Sequence, residues 1–196
     1  MTASKTTNEA LIDFPIHTIE TAPEASKALL QKSLDTFGMI PNLHGFMAES
    51  PQTLHSYQML TKLVSESSFT PTERHVLWLA INVENQCHYC VPAHTLLAKK
   101  DSVNDEIIEA IRNNQKLPDA RLETLRQFAL KMLVNRGRLA HEDVKAFFDA
   151  GFTRRQALEV VLVLSHKVMS NYINAFSGTE VDAAFAKYAW DQPKHR

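Results

Sequence analysis

The sequence predicts an all-α, single-domain protein, on three observations. Apolar residues recur at helical spacing through most of the chain. No stretch alternates apolar and polar residues convincingly over the length of a strand. Only five glycines interrupt the 196 residues, and a chain of that length can bury a substantial core without disulfide or metal staples. Hydrophobic residues make up 44% and charged residues 22%, with a net charge of −1. This composition belongs to a soluble globule. It offers no basic excess for nucleic acid and no polybasic stretch for anionic lipid. The opening MTASKTTNEALIDF lacks the apolar core of a signal peptide. The longest strongly apolar run, VVLVL at 160–164, is too short to span a bilayer. The expectation is a cytoplasmic protein with neither a membrane nor a nucleic-acid partner.

Residues 1–13 are polar and are expected to form a loose tail ahead of a helical domain at 14–196. A first helix should start near Pro23-Glu24 and stop before Gly38, and Pro41 and Pro51 should open two further short helices. Thr70-Pro71-Thr72-Glu73 is a strong start signal: Thr70 can cap, Pro71 suits the first helical position, and Glu73 completes a capping box. Val76, Leu79, Ala80 and Val83 then form one apolar stripe along a helix at 71–85. Later helices are expected at roughly 103–113, 119–136, 141–150 and 153–176. The last repeats the capping signal with Thr153 and Gln156.

The chain's two cysteines fall together in the run ENQCHYCVPAH, as Cys87 and Cys90, with His94 four residues on. Pro92 is tolerated only in the first turn of a helix, so a helix carrying His94 should begin near residues 88–91. Both thiols then sit at its N-terminal end, where free N–H groups and the macrodipole favour a thiolate. Cys90 and His94 become i, i+4 neighbours on one face, and Cys87 lies within reach of a disulfide to Cys90. A redox reading makes these a resolving thiol, an attacking thiol and a base. A metal reading takes Cys87, Cys90 and His94 as zinc ligands, with His88 or Glu84 as the fourth, although no second cysteine pair exists to complete a structural site. A third reading makes the cysteines small core residues.

Around this motif, Glu84 lies one turn before Cys87 and is placed either to carry a proton or to be a solvated helix-end carboxylate. Glu73 is expected to cap rather than catalyse. His166, Ser170 and Asn174 share one helical face and are expected to form a hydrated or subunit-facing stripe. His88 is expected at the surface, and Trp78 and Trp190 in the core or an interface.

The run from Thr70 to His94, TPTERHVLWLAINVENQCHYCVPAH, resembles the signature of the alkylhydroperoxidase D / carboxymuconolactone decarboxylase superfamily, in its Cys-x-x-Cys-x-x-x-His redox branch. FGMIPNLHGFMAESP and HKVMSNYINAF resemble the longer, peroxidase-related members, so the similarity runs from about residue 14 to 190. The resemblance implies an all-helical AhpD-like fold, symmetric homo-oligomers (trimers or hexamers), and hydroperoxide reduction without haem, flavin or metal cofactor. By position it implies Cys90 as peroxidatic cysteine, Cys87 as resolving cysteine and His94 as relay. The family's relay glutamate position is occupied here by His75, and the histidine before the second cysteine by Tyr89. An imidazole titrating near neutrality can also relay protons, whereas a first-turn histidine can equally be an exposed bystander. With no Gly-rich dinucleotide loop, electrons should come from an external dithiol such as a thioredoxin-like or lipoyl protein.

Overall fold

The computed structural model describes residues 14–191, and the polar segment 1–13 lies outside them. Nine α-helices and no strand occur among the described residues. They are α1 (Glu24–Phe37), α2 (Asn42–Met47), α3 (Pro51–Ser65), α4 (Pro71–Glu84), α5 (Cys90–Lys100), α6 (Asp105–Arg112), α7 (Ala120–Val134), α8 (His141–Asp149) and α9 (Arg154–Ser177). A short 3-10 turn at Ala186–Tyr188 follows. The all-α expectation is met. The helix opened by Pro51 is not short, however: it runs fifteen residues, starts at the Ser50 cap, which accepts from the Thr53 N–H, and buries Leu54, Tyr57, Gln58 and Val64 along its length.

α4 organises the domain because it is buried around its whole circumference, from His75 to Val83 without a break. Its Val76, Leu79, Ala80 and Val83 stripe packs with Val91 and Ala98 of α5 and with Ile107, Ile108 and Ile111 of α6. The opposite side, through Leu77, Trp78 and Ile81, packs with Phe128, Phe147 and Val163 of α7, α8 and α9. A third cluster joins α1–α3 to both cysteines and Tyr89. A helix apolar on all sides belongs in the middle of a domain, and α4 is placed there.

Both predicted capping boxes form. Thr70 Oγ1 accepts from the Glu73 N–H at 3.2 Å and Glu73 Oε2 accepts from the Thr70 N–H at 2.8 Å. Glu73 also pairs with Arg121 of α7, which ties the start of α4 to its neighbour. Its role is structural, as a cap. At the other end, Gln86 adopts φ 53 and the Cys87 N–H returns to Asn82 O at 2.9 Å. This left-handed closure reverses the chain and delivers Cys87 to the interior. Thr70→Ala removes one cap bond and should lower stability by about 1 kcal/mol in denaturant unfolding, without moving the thiols.

Candidate functional site

Cys87 lies in the turn after α4 and Cys90 is the first residue of α5, in line with the start expected from Pro92. Both are free thiols, buried to 2% exposure. The Cys90 N–H donates to Cys87 Sγ at 3.3 Å. From α9, Asn174 Nδ2 donates to Cys90 Sγ at 3.2 Å and to Cys87 Sγ at 3.8 Å, and Ser170 Oγ lies 3.7 Å from Cys90 Sγ. Asn171 Nδ2 donates to Asn82 Oδ1 at 2.9 Å, and Asn82 Nδ2 donates to the Cys90 carbonyl at 3.3 Å. The turn is thus clamped between α4 and α9.

Lys167, also on α9, is completely buried. Its Nζ lies 2.8 Å from His94 Nε2 and within hydrogen-bonding reach of Cys90. Burial pushes the Cys90 thiol up, but hydrogen bonding from Cys87, the Lys167 charge and hydrogen bonds from Ser170 and Asn171 outweigh it, and the thiol falls to about 5. Cys87 moves the opposite way, well above the ordinary thiol range, because it is buried and gives its proton's hydrogen bond to Cys90. Burial, then the Lys167 charge, holds His94 far below the usual histidine range, so its ring is neutral. An ammonium has no lone pair to offer, so Nε2 accepts from Lys167 and the ring proton resides on Nδ1. That Nδ1 is buried and has no hydrogen-bond partner among the described residues.

His94 lines a cavity of about 150 Å³. Its walls are apolar, with Phe37, Met39, Leu43, Leu96, Leu97 and Phe185, while Tyr57, Tyr89 and His44 add polar edges. Tyr57 stands next to Cys90 and Ser170. The C-terminal segment closes the cavity through Ala184 and Phe185. It is held by the two residues between the cysteines: His88 Nε2 donates to Thr179 O at 2.8 Å, and Tyr89 OH donates to Asp182 Oδ2 at 2.5 Å.

The other sequence candidates separate. His75 is 1% exposed, so the picture of an exposed first-turn histidine is overturned, because the continuous burial of α4 begins at this residue. Its Nε2 pairs with Asp101 Oδ2 at 2.8 Å, and Trp78 packs against both the His75 and His94 rings, at 5.3 and 5.1 Å. Trp78 thus links His75 to His94. Glu84 is half-buried at the last position of α4. His88 is half-buried on the C-terminal segment rather than at the open surface. His166, Ser170 and Asn174 are not a hydrated or subunit-facing stripe: all three are buried, two against the thiols and His166 against Tyr57 and Thr61. For the zinc reading, no group of three or more His, Cys, Asp or Glu side chains among the described residues is arranged to hold a metal. A cation at Cys87, Cys90 and His94 would also meet the Lys167 ammonium. Sequence reasoning missed Lys167, although its place on the same face as Ser170, Asn171 and Asn174 was the available signal.

Fold and site together define a helical protein with a buried, asymmetric dithiol at a helix N-terminus. Residues 51–133 match the model of the carboxymuconolactone decarboxylase family. The fold is shared with an alkylhydroperoxidase AhpD core, peroxidase-related protein of Ralstonia eutropha JMP134, at TM-score 0.78 and 21% identity, covering 88% of this chain and 93% of that one. A peroxidase-related protein of Silicibacter sp. TM1040 matches at TM-score 0.77 and 21% identity, covering 93% and 96%. A variant of the debrominase Bmp8 in complex with 2,3,4-tribromopyrrole matches at TM-score 0.71 and 13% identity, covering 91% and 97%. No curated protein matches the sequence significantly. The family model thus matches the stretch from α3 through most of α7, and the likeness to the peroxidase-related structures is one of fold. No helix among the described residues is long and apolar enough to cross a membrane.

The two thiols should be chemically unequal. Alkylation by iodoacetamide, read by mass spectrometry, should label Cys90 first, at a rate rising through about pH 5 and levelling off towards neutrality. Cys87 should label slowly until alkaline pH. Equal labelling at mildly acidic pH would contradict the assignment.

Proposed function

We propose that the protein is a cysteine-based peroxidase of the cytoplasm that reduces organic hydroperoxides and is recycled by an external dithiol. The observation that supports it best is the pair of buried free thiols three residues apart, with Asn174 Nδ2 donating to both sulfurs and Lys167 beside them. Cys90 attacks one oxygen of the O–O bond, an alcohol leaves, and Cys90 retains a sulfenic acid. Cys87 condenses with it, releasing water and forming a disulfide. A thioredoxin-like or lipoyl dithiol then reduces that disulfide and is itself oxidised. His94 positions the acid–base group beside Cys90, and His75 orients His94 through Trp78.

Peroxide consumption with dithiothreitol as reductant tests this. Cys90→Ser should abolish turnover, whereas Cys87→Ser should still form one sulfenic acid per chain and then stop. Sulfenic acid found on Cys87 alone would reverse the assignment, and an inactive parent chain would refute the peroxidase reading.

The cavity favours a second reading. Its volume of about 150 Å³ is that of a pocket which accepts a benzene-sized ring. A halogenated ring seated there would exchange its carbon–halogen bond for carbon–hydrogen, with halide and one proton released as the two thiols become a disulfide. Bromide release from a bromopyrrole in the same assay separates the two.

We also propose a homo-oligomer. The outer faces of α3 and α9 expose Met59, Leu63, Leu158, Val161 and Tyr172, an apolar surface suited to a second copy. Sedimentation at micromolar concentration should give a multiple of 22.2 kDa; a monomer would overturn the proposal.

A further inference from the structure

Lysine is seldom fully buried, and when it is, an opposite charge or a function accompanies it. Lys167 is the one lysine buried completely among the described residues. It reaches the interior from α9, and its Nζ is shared between His94 Nε2, at 2.8 Å, and Cys90. Among the described residues, the charges that raise its proton affinity are those of Cys90 and Cys87. Burial lowers its proton affinity, and the two sulfurs raise it. Its charge is therefore tied to the charge on the cysteine pair.

We infer that Lys167 is a catalytic residue of the proposed peroxidase site: it is the counter-ion that holds Cys90 as a thiolate and the acid that protonates the leaving oxygen. The inference rests on the peroxidase reading for its second half only. In the resting state the site holds Cys90–S⁻, Lys167–NH3⁺ and Cys87–SH. When the thiolate attacks a hydroperoxide, the S–O bond forms, the O–O bond breaks, and the Lys167 proton goes to the departing alkoxide to give the alcohol. Lys167 is then neutral, and the negative charge that favoured its proton has gone. Cys87–SH and Cys90–SOH condense to the disulfide and water. An external dithiol returns two electrons and two protons: one regenerates Cys87–SH, the other recharges Lys167 beside the restored thiolate. His94 is the positioning residue. As a neutral ring it accepts from Lys167 at Nε2, and its remaining donor, Nδ1–H, has no partner among the described residues and belongs to a ring that lines the cavity.

Two substitutions separate the two duties. Lys167→Met removes the charge. Thiolate ultraviolet absorbance should then show Cys90 titrating in the ordinary thiol range, with the thiolate fraction at neutral pH falling on the order of 30-fold. Lys167→Arg keeps a charge but cannot release its proton near neutrality. It should retain the acidic titration of Cys90 and lose on the order of 100-fold in the rate of sulfenic acid formation. Circular dichroism verifies that each variant folds. For use whether or not they fold, nitrogen NMR of lysine side chains in the unaltered protein gives an independent reading: one lysine should lose its charge when diamide oxidises the cysteine pair and regain it on reduction. An unchanged Cys90 titration in Lys167→Met, or no change in lysine charge on oxidation, overturns the counter-ion role. A Lys167→Arg variant as fast as the parent overturns the acid role. Should the parent consume no hydroperoxide, the peroxidase reading and the acid role fall together, while the titration and NMR still decide the ion pair.

Discussion

Removing an ammonium from water costs several kcal/mol unless an opposite charge and hydrogen-bond acceptors go with it. Lys167 is removed completely, so α9 has to lie where its ammonium meets the start of α5. Much of the interior around it follows from that demand. Ser170, Asn171 and Asn174 continue the same face of α9, and each finds a partner on the thiol turn or at the end of α4. Asn82 answers from α4 by holding both Asn171 and the Cys90 carbonyl. The apolar clusters lie to either side of this polar seam. Inside so dry a region each polar group left without a partner would cost more than it would in water, which makes the seam specific in register.

The same demand explains why two cysteines three residues apart behave oppositely. Both are equally buried, and burial alone would raise both. Only Cys90 gathers donors from Cys87, Lys167, Ser170 and Asn171 together. Cys87 spends its proton on its neighbour and is thereby kept a thiol. Two thiols of opposite acidity are thus made from identical side chains by position alone.

Much of the backbone was legible because its signals are local. Thr70 with Glu73, Thr153 with Gln156, Gly38 and Pro92 each act within a turn of their own position, and the helices begin or end beside them. The Cys-x-x-Cys-x-x-x-His run was legible for the same reason. What α9 brings was not, since Asn174 lies 84 residues from Cys90. Its periodicity was visible, but its polarity is inverted: Lys167 and Asn174 face inward while Leu158 and Tyr172 face out. A rule that places charged residues outside assigns such a helix the wrong way round. His75 misled in a related manner, because a histidine this close to a helix start is usually wet, whereas α4 is buried without a break from His75 onward.

The bonds made by His88 and Tyr89 join the thiol turn to the wall of the cavity. These two residues are the spacer that sets how far apart the sulfurs sit, and they also tether Thr179 and Asp182 ahead of Phe185. The turn leaves the two sulfurs as separate thiols. Any movement of one sulfur relative to the other would act on a spacer whose far side is fastened to the cavity's own wall. The spacing of the sulfurs and the shape of the chamber therefore share one mechanical coordinate.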